Sequence, residues 1–492
     1  MTLSPVVVAD PPPATMAVHR TRGVDLAPLI AGCLVFALVL FLPQLLNDGD
    51  TFWQIATCGW ILDHHAIPTT DPFSFTAGNR HWFAHEWLAE TLMALAFRAA
   101  GLQGVMALAA ATTGLTAAVL LRHLRRFLPG IYAVAGLIVA LGNAAPSMLA
   151  RPHLLAWPCL TIWCCGLLTA RANRTAPAWW LLPVMILWVN LHGSFMVGLL
   201  LPGAFMIEAL FDPEADRRDG LVTWLRFIAA AWLVALINPE GLSGVLFPIH
   251  MLGMKSLAWI GEWEPTSFAA LQPLEIVILG CIALGFSGKL TLPPIRLLIL
   301  LGLIHGALTH ARNEQLLGIV GVLILAQPIG TALSRRPAKT PGVDVSRHRS
   351  GPGYVAAGAV LIAILALPLR LALPLSPERT GATFAAMLGA VPPALRERPV
   401  LNEYGLGGRL IFNGIHPFID SRADLYGDSF LARYRRIAAG DPGELTHALS
   451  EYAIAWTIFP ATEAIVPVLD TLPGWKRLLT ADGIVIHVRN EH

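Results

Sequence analysis

Charged residues are scarce in this chain. Only 13% of its 492 residues are Asp, Glu, Lys or Arg, whereas 55% are hydrophobic. A soluble globular protein carries about a quarter charged residues, so this chain has too few to cover a surface that faces water. The shortage excludes a soluble enzyme and a disordered tail protein. A polytopic membrane protein is the class that remains.

The chain also has few cysteines and a small net charge, and its glycine-rich segment lacks the common nucleotide-binding motifs. The six cysteines lie mostly inside apolar runs, which is typical of small core residues and excludes a disulfide scaffold. A net charge of +2 is too small to indicate nucleic-acid binding. The glycine-rich segment 402–410 has no G-x-G-x-x-G and no G-K-[ST] pattern. We interpret it as a turn whose backbone packs tightly and faces a site at the membrane.

The chain contains long apolar runs that could cross a membrane as helices. The first run, 26–46, follows Arg20 and Arg22 and has no small-residue cleavage site after it, which predicts an uncleaved signal anchor. The run 88–100 is short and carries Glu90 and Arg98, so we expect it to lie flat at the membrane interface. Ten further spans are predicted, at 103–121, 131–149, 153–170, 177–191, 195–211, 221–237, 273–287, 293–309, 315–333 and 353–373.

The distribution of Lys and Arg predicts how these eleven spans are oriented. With the N-terminus inside, the inner loops carry most of the cations, as the positive-inside rule requires. If 88–100 also crossed the membrane, every later loop would change sides and the bias would invert. We therefore predict a multi-pass protein of a bacterial inner membrane, with a cytoplasmic N-terminus and a periplasmic C-terminus.

The chain is predicted to be mainly α and to divide into three parts. Residues 1–25 are predicted to form a disordered cytoplasmic tail, and 26–373 a transmembrane domain whose first outer loop, 47–102, carries interfacial helices. Segment 334–352 within it is predicted to be a flexible inner linker. Residues 374–492 have more charge and shorter apolar runs, which favours a small extracytoplasmic α/β domain. Its predicted strands are 399–402, 417–420, 453–459 and 483–488, and its predicted helices are 380–388, 429–439, 444–452 and 463–472.

Polar side chains near the span ends concentrate on the predicted outer side. Asp48 and Asp50 follow the first span directly, and His85 and Glu86 precede the flat segment. Ionisable groups at membrane depth are costly, so such groups are read as functional by default. The other outer connections add Arg151, His153, His192, Lys255, Glu262, His310 and Arg312. Together these residues predict one site at the outer leaflet.

The carboxylate pair in Asp48-Gly49-Asp50, on an outer loop with interfacial helices, resembles the arrangement in GT-C class membrane glycosyltransferases. Segments 188–193, 238–241 and 261–263 (WVNLHG, NPEG and GEW) look like fixed features of a bacterial branch of such proteins. The resemblance implies a GT-C-like fold and a sugar donor carried on a polyprenyl phosphate. The implied partners are this donor, membrane lipids and a glycan, lipid or protein acceptor.

The chemistry of such a transfer assigns roles to these residues. One carboxylate can serve as general base for the acceptor hydroxyl, and we expect this to be Asp50, with Asp48 or Glu86 as alternates. The leaving phosphate needs positive charge or a metal ion. The candidates for binding it are Arg151, His153, His192, Lys255 and Arg312, and further substrate contacts are expected from His85, Glu262 and His310. Asp48 and Asp50 could instead hold a divalent cation, Mg²⁺ or Mn²⁺.

Structural interpretations stay open for several of these residues. Asp48 could cap the helix that follows it, and Arg151 could pair only with a lipid headgroup or a carboxylate. His81 and His85 have the i, i+4 spacing of a zinc pair on a helix, although interfacial packing is favoured.

The segment that contains Asp420 and Arg422 also has two interpretations. These residues could bind the acceptor, but an internal ion pair between them is favoured.

Two other functions compete with the transferase. A lipid-glycan transporter or flippase would need polar groups along a path through the spans, and usually inverted repeats or broken helices. The chain has no internal repeat, and the middles of its spans are apolar. A non-catalytic subunit of a polysaccharide-assembly complex is the other alternative, and it predicts that Asp50 can be replaced without loss of function.

Overall fold

The computed structural model describes residues 24–78, 80–211, 217–334 and 351–490. Most of the predicted tail 1–25 and of the predicted linker 334–352 lies outside these described residues. Helices dominate the chain, and one small sheet lies near its C-terminal end, as predicted for a mainly α protein with an α/β C-terminal region.

The first part of the chain is a succession of apolar helices. They are α1 (Ala27–Leu40), α2 (Asp50–His64), α3 (Trp87–Leu124), α4 (Gly130–Ala144), α5 (Pro152–Ala172), α6 (Leu182–Val189), α7 (Phe195–Leu210), α8 (Arg217–Ala235), α9 (Leu242–Leu252), α10 (Pro273–Phe286) and α11 (Pro294–Thr309). They continue through α12 (Glu314–Leu316), a π-helical turn (Leu317–Gly321), α13 (Val322–Ser334) and α14 (Gly351–Ala372).

Several of these helices can cross a bilayer. Within the described residues, five helical segments are long and apolar enough: Trp87–Leu124, Gly130–Ser147, Pro152–Ala172, Ala311–Ser334 and Gly353–Ala372. Seven further apolar helices have 10–17 residues. Large apolar side chains are exposed along the bundle, among them Leu38, Ile138, Leu233 and Leu298. Such extended apolar faces are untenable in water, so the bundle is built for lipid. The count of eleven spans stays a prediction.

Helix α3 contains the break that was predicted between the flat segment and the next span. The backbone leaves helical geometry at Ala100 and Gly101, and Gly101 has φ of +59°. After this break, a Cβ added at Gly104 would come within 2.0 Å of the carbonyl oxygen of Ala96, so only glycine allows the two halves to pack so closely. The flat orientation of 88–100 stays a prediction.

Loop 238–272 contains a helix that the sequence analysis missed. Helix α9 was overlooked because its eleven residues are too few to span and are interrupted by Pro248. Asn238 shapes the turn before it, since its side-chain amide donates to the carbonyls of Ala235 and Gly241, both at 2.9 Å. The NPEG segment is therefore a structural turn that leads into α9.

The C-terminal region is a four-stranded sheet with helices. Its strands are β1 (Val400–Asn402), β2 (Trp456–Pro460), β3 (Trp475–Ala481) and β4 (Ile484–Arg489), in the order β1-β2-β4-β3. Strands β1 and β2 are parallel, and the other two pairs are antiparallel. Its helices are α15 (Pro377–Thr380), α16 (Ala382–Gly389), α17 (Pro393–Arg396), α18 (Gly407–Phe412), α19 (Ala423–Ala438), α20 (Pro442–Glu451) and α21 (Ile465–Thr471).

The predicted strand 417–420 is wrong, and strand β3 was missed. Residues 417–420 form a loop that the buried side chain of Asn402 holds in place: its Oδ1 accepts from the amide of Phe418, and its Nδ2 donates to the carbonyl of Ile419, both at 2.8 Å. Strand β3 is a largely exposed edge strand that carries Lys476 and Arg477, so it has no apolar run that would reveal it.

The C-terminal region packs directly against the loop that follows α1, by which we mean the whole segment between α1 and α3, including α2. A shared apolar core joins Trp53 and Trp82 of that loop to Phe418 and Tyr426. The glycine-rich turn makes the closest approach, since a Cβ at Gly408 would lie 2.5 Å from the carbonyl oxygen of Gly49. The tight packing predicted for this turn is therefore present, and it places the C-terminal region beside the Asp48-Gly49-Asp50 segment.

Candidate active site

A cavity of about 640 Å³ lies where the loop after α1, the ends of several apolar helices and the C-terminal region meet. Nine of the eleven side chains predicted for the site line it: Asp48, Asp50, His85, Glu86, Arg151, His153, His192, Glu262 and Arg312. These residues come from six separate stretches of the chain, so the fold brings together what the sequence keeps apart.

Arg151 is the centre of the charge arrangement in this cavity. It stands in extended conformation just before Pro152, which is the first residue of α5. Its guanidinium forms ion pairs with three carboxylates: Nε with Asp48, Nη2 with Asp50 at 2.9 Å, and Nη1 with Glu262. The interpretation in which Arg151 pairs with a carboxylate therefore agrees with its contacts in the structure.

Asp48 and Asp50 differ in their contacts and in how exposed they are to the cavity. One oxygen of Asp48 accepts the backbone N–H of Asp50 at 3.0 Å, and the other pairs with Arg151. Asp48 therefore accepts the first backbone N–H of α2, but it is not the N-cap that one interpretation predicted, because Gly49 occupies that position. The Asp48 side chain is 8% exposed, whereas that of Asp50 is 21% exposed and faces the cavity.

The C-terminal region holds Asp50 from the other side. The hydroxyl of Ser421 donates to Asp50 and accepts from the indole N–H of Trp53 at 3.0 Å. The hydroxyl of Tyr404 in turn donates to the carbonyl of Ser421 at 3.0 Å. Burial raises the pKa of Asp50 to about 7, and the hydrogen bond from Ser421 opposes this rise. A carboxylate with a pKa near neutrality is suited to act as a general base.

Glu86 lies among imidazoles on another wall of the cavity. Its Oε1 is 3.6 Å from Nε2 of His192 and 3.8 Å from Nε2 of His85. Burial lowers the pKa of His85 to about 3 and lowers that of His192 well below its usual value, with Arg312 adding to both effects. Burial also raises the pKa of Glu86 to about 8, while Arg312 opposes the rise. At neutral pH these imidazoles are therefore uncharged, and Glu86 is largely protonated.

Arg312 is the cation of the cavity that lacks a carboxylate partner. Its guanidinium lies over the ring of Trp263 at 4.4 Å. In the part of the chain that the structure describes, Arg312 has no ion pair within 4.0 Å. An arginine in this state can bind an incoming phosphate with its full set of donors.

An apolar groove of about 300 Å³ continues from the polar cavity. The two share a junction formed by Glu86, His153, His192, Trp263, Arg312 and Gln315. Beyond the junction the groove runs along α5, α7 and α9, where Leu160 and Met196 line it. Leu200 and Leu252 also line the groove and are 63% and 64% exposed, so the groove opens on the exposed apolar surface of the bundle.

The C-terminal region contributes cavity residues that the sequence analysis did not assign. Asp424 and Tyr404 line the cavity beside Ser421. Burial raises the pKa of Asp424 to about 6, while the nearby Arg422 opposes the rise. The 420–424 segment was recognised as a candidate acceptor loop, but nothing in the sequence says which of its side chains reaches the cavity.

Two predicted site residues do not line the cavity. Lys255 is exposed, and its backbone N–H donates to Asp428 at 3.1 Å. The Nδ1 atom of His310 lies 2.7 Å from the carbonyl oxygen of Trp263, so His310 supports the loop that carries Glu262. Neither residue is placed to contact a ligand in the cavity.

The helical pairing expected for His81 and His85 is wrong. His81 forms a β-bridge with Thr70, and residues 82–84 are irregular, so the two imidazoles share no helix face. The i, i+4 argument failed because α3 begins only at Trp87.

The expected ion pair between Asp420 and Arg422 is present. Arg422 Nη2 and Asp420 Oδ2 are 2.7 Å apart, and Arg422 Nη1 reaches Asp71 at 2.7 Å.

The WVNLHG segment has a positioning role. The buried side chain of Asn190 accepts from the indole N–H of Trp87 and donates to the carbonyl of Ile237, both at 2.8 Å. It thereby ties the start of α3 to the segment that follows α8. His192, two residues later, is held at the cavity wall by Ser194, whose hydroxyl lies 2.9 Å from its Nδ1.

Comparisons with known proteins identify the fold. No protein-family model and no curated protein matches the chain. Among solved structures, the chain is similar to the apo oligosaccharyltransferase of Archaeoglobus fulgidus, with a TM-score of 0.54, 11% identity, and coverage of 89% of this chain and 69% of that one. The same enzyme in complex with zinc and sulfate aligns with a TM-score of 0.46 and 12% identity, over 87% of this chain and 68% of that one.

ArnT from Cupriavidus metallidurans, bound to undecaprenyl phosphate, aligns with a TM-score of 0.48 and 14% identity, over 93% of this chain and 97% of that one. The likeness to the archaeal oligosaccharyltransferase shows a shared fold. The predicted resemblance to GT-C membrane glycosyltransferases is therefore confirmed at the level of fold.

Proposed function

We propose that the protein is a membrane glycosyltransferase that moves a sugar from a polyprenyl-phosphate donor to a glycan, lipid or protein acceptor at the outer face of a bacterial inner membrane. The observation that carries the proposal is the junction of a polar, carboxylate-lined cavity with an apolar groove that opens on lipid. A ligand that fits both must be an amphiphile with a polar head and a long apolar tail.

The junction supports one placement of the donor. The isoprenoid tail occupies the groove beside Leu160, Met196 and Leu200, where its burial is favourable. The phosphate lies at Arg312, because this guanidinium has no competing carboxylate among the described residues and faces both spaces. The sugar then extends into the polar cavity toward Asp50. Arg151 is a weaker candidate for the phosphate, since three carboxylates already occupy its guanidinium.

Asp50 is the proposed general base. It takes the proton of the acceptor hydroxyl as the acceptor oxygen forms its bond to the anomeric carbon. The bond from that carbon to the phosphate oxygen breaks, and polyprenyl phosphate leaves with its charge held at Arg312. A single displacement of this kind inverts the anomeric configuration. Asp48 is a weaker base because its side chain is less exposed to the cavity than that of Asp50, and Glu86 is weaker because its raised pKa keeps it protonated at neutral pH.

The acceptor would enter from the side of the C-terminal region. Ser421, Tyr404 and Asp424 of the C-terminal region line the cavity. This arrangement gives the C-terminal region a part in acceptor binding, because it supplies polar groups to the same cavity that holds Asp50.

The test is transfer from a radiolabelled polyprenyl-phosphate sugar by the purified full-length protein in lipid nanodiscs. Asp50→Asn removes the base but keeps the side-chain shape, so we expect transfer to fall by about 10²–10⁴-fold. Asp63→Asn is the matched control, since Asp63 lies on the same helix but pairs with Arg98 at the surface. We expect this control to transfer sugar like the wild type. Full activity in a folded Asp50→Asn protein would exclude Asp50 as the base.

A further inference from the structure

The guanidinium of Arg151 is shared by three carboxylates from two separate parts of the chain. Asp48 and Asp50 come from the loop after α1, and Glu262 comes from the turn before α10. Each of the three guanidinium nitrogens pairs with a different carboxylate. The positive charge that gathers these acids is therefore supplied by the protein itself.

A divalent cation at the same place would need a different arrangement. Mg²⁺ requires about six oxygen ligands at octahedral positions around one point, and Mn²⁺ sites also rely on oxygen donors. Here the carboxylates are spread around the edge of a planar fork, which separates them from one another. Within the described residues, no group of three or more His, Cys, Asp or Glu side chains is arranged to hold a metal ion. These carboxylates do not fit a divalent cation while Arg151 stands between them.

We infer that Arg151 takes the place of a divalent cation in this site, so that sugar transfer does not depend on a metal ion. The part of this inference that concerns transfer rests on the proposed function, whereas the part that concerns the charge arrangement rests on the ion pairs alone. The guanidinium supplies a shared counter-charge to the acids and pairs with Asp50 at the cavity. A permanent side-chain cation does this at any concentration of free metal, since arginine keeps its charge.

Removing the guanidinium of Arg151 should turn the space between the three carboxylates into a metal site. In Arg151→Ala, the carboxylates of Asp48, Asp50 and Glu262 would face one another across vacated space without a counter-charge. Like charges held this close are unfavourable, so protonation or a bound cation must relieve them. A small oxygen-seeking cation of charge +2 is the ligand that this set of donors would bind.

Mn²⁺ binding followed by electron paramagnetic resonance tests this without any need for the substrate. We expect the wild-type protein in detergent to leave added Mn²⁺ free and Arg151→Ala to bind about one Mn²⁺ per chain. The double variant Arg151→Ala/Glu262→Gln should lose the bound Mn²⁺. Arg312→Ala is the matched control: it removes an arginine from the same cavity but uncovers no paired carboxylate, so it should bind none.

Two outcomes would overturn the inference. One is a Mn²⁺ signal in the wild type that Glu262→Gln removes, and the other is a folded Arg151→Ala protein that binds no Mn²⁺. If Arg151→Ala does not fold, the comparison of the wild type with Glu262→Gln still decides between an arginine-filled and a metal-filled site.

A second arm measures sugar transfer by the wild type in excess EDTA. Unchanged transfer supports the inference, and a loss that Mn²⁺ or Mg²⁺ restores overturns it. Absence of transfer under every condition would count against the proposed function, while the Mn²⁺ measurement would still decide the role of Arg151.

Discussion

Arg151 and Arg422 both gather carboxylates from distant parts of the chain, but they do so in different surroundings. Arg422 pairs with Asp420 and Asp71, and all three side chains are at most 1% exposed. The hydroxyl of Tyr426 donates to Asp420 at 2.8 Å, and Asp71 accepts two backbone N–H groups. This cluster is sealed and satisfied, and it fastens the loop after α1 to the C-terminal region.

The Arg151 cluster is open where the Arg422 cluster is closed. Its carboxylates outnumber its arginine three to one, and the side chains of Asp50 and Glu262 are 21% and 34% exposed to the cavity. A sealed ion cluster serves the fold, because nothing can reach it. An open cluster with excess negative charge is placed to act on a ligand, since it lies beside a groove and beside Arg312, which has no ion pair among the described residues. The two clusters therefore differ in role because a ligand can reach only the open one, although both contain charged groups.

The largest effect on stability is expected at the sealed cluster. Arg422→Met leaves two buried carboxylates without their counter-charge, which should cost about 3–5 kcal/mol in the free energy of unfolding. Thermal unfolding of the purified protein measures this. Arg477→Met is the control, because its pair with Asp470 is exposed and solvent screening should leave it a much smaller contribution to stability. Equal losses in the two variants would contradict the distinction.

The open cluster should respond in activity more than in stability. We expect Arg151→Ala to lower sugar transfer by about 10²–10³-fold, the range found when one preorganised electrostatic group is removed. Its melting temperature should fall less than that of Arg422→Met, because the exposed carboxylates can be hydrated. Parallel transfer and unfolding measurements decide this. A variant that unfolds like Arg422→Met would make Arg151 a structural residue.

A smaller effect is expected from the contact that joins the C-terminal region to the open cluster. Asp50 must be ionised to act as a base, so transfer should rise with pH through about 7. The hydrogen bond from Ser421 lowers the pKa of Asp50, and Ser421→Ala should therefore move this rise to higher pH. Activity should recover at alkaline pH, because the base itself is intact. A pH profile that drops uniformly without shifting would assign Ser421 a different role.

The smallest effect is expected at Lys255. This cation lies outside the cavity and is exposed, so Lys255→Ala should leave transfer and melting temperature unchanged. Arg312→Gln, measured beside it, should weaken binding of polyprenyl phosphate. If Lys255→Ala has the larger effect on binding, the phosphate lies elsewhere.

The sequence predicts the parts of this molecule that depend on local pattern. Apolar runs mark the helices, and the break near Gly101 follows from the short, charged run before it. Sidedness of the polar residues was enough to find nine cavity residues among the eleven that were predicted for the site, because the ends of neighbouring helices on one side of a membrane must lie near one another.

What the sequence does not predict are contacts between remote segments. The hydrogen bond from Ser421 to Asp50 spans 371 positions, and its existence depends on how Asn402 shapes the loop before it. The sharing of Arg151 among three acids likewise follows only from the packed fold. The packed fold was also needed to see that Arg312 lines the cavity and that Lys255 and His310 do not. In the sequence all three are cations or imidazoles in predicted outer loops.

The most direct test of the account is a structure of the protein with bound polyprenyl phosphate, determined by electron cryomicroscopy in nanodiscs. The account predicts density for the phosphate at Arg312 and for the isoprenoid chain along the groove between α5, α7 and α9. A phosphate bound at the opposite end of the bundle, for instance at the pair of Arg296 and Glu208 that are 3.0 Å apart, with an empty groove, would contradict it.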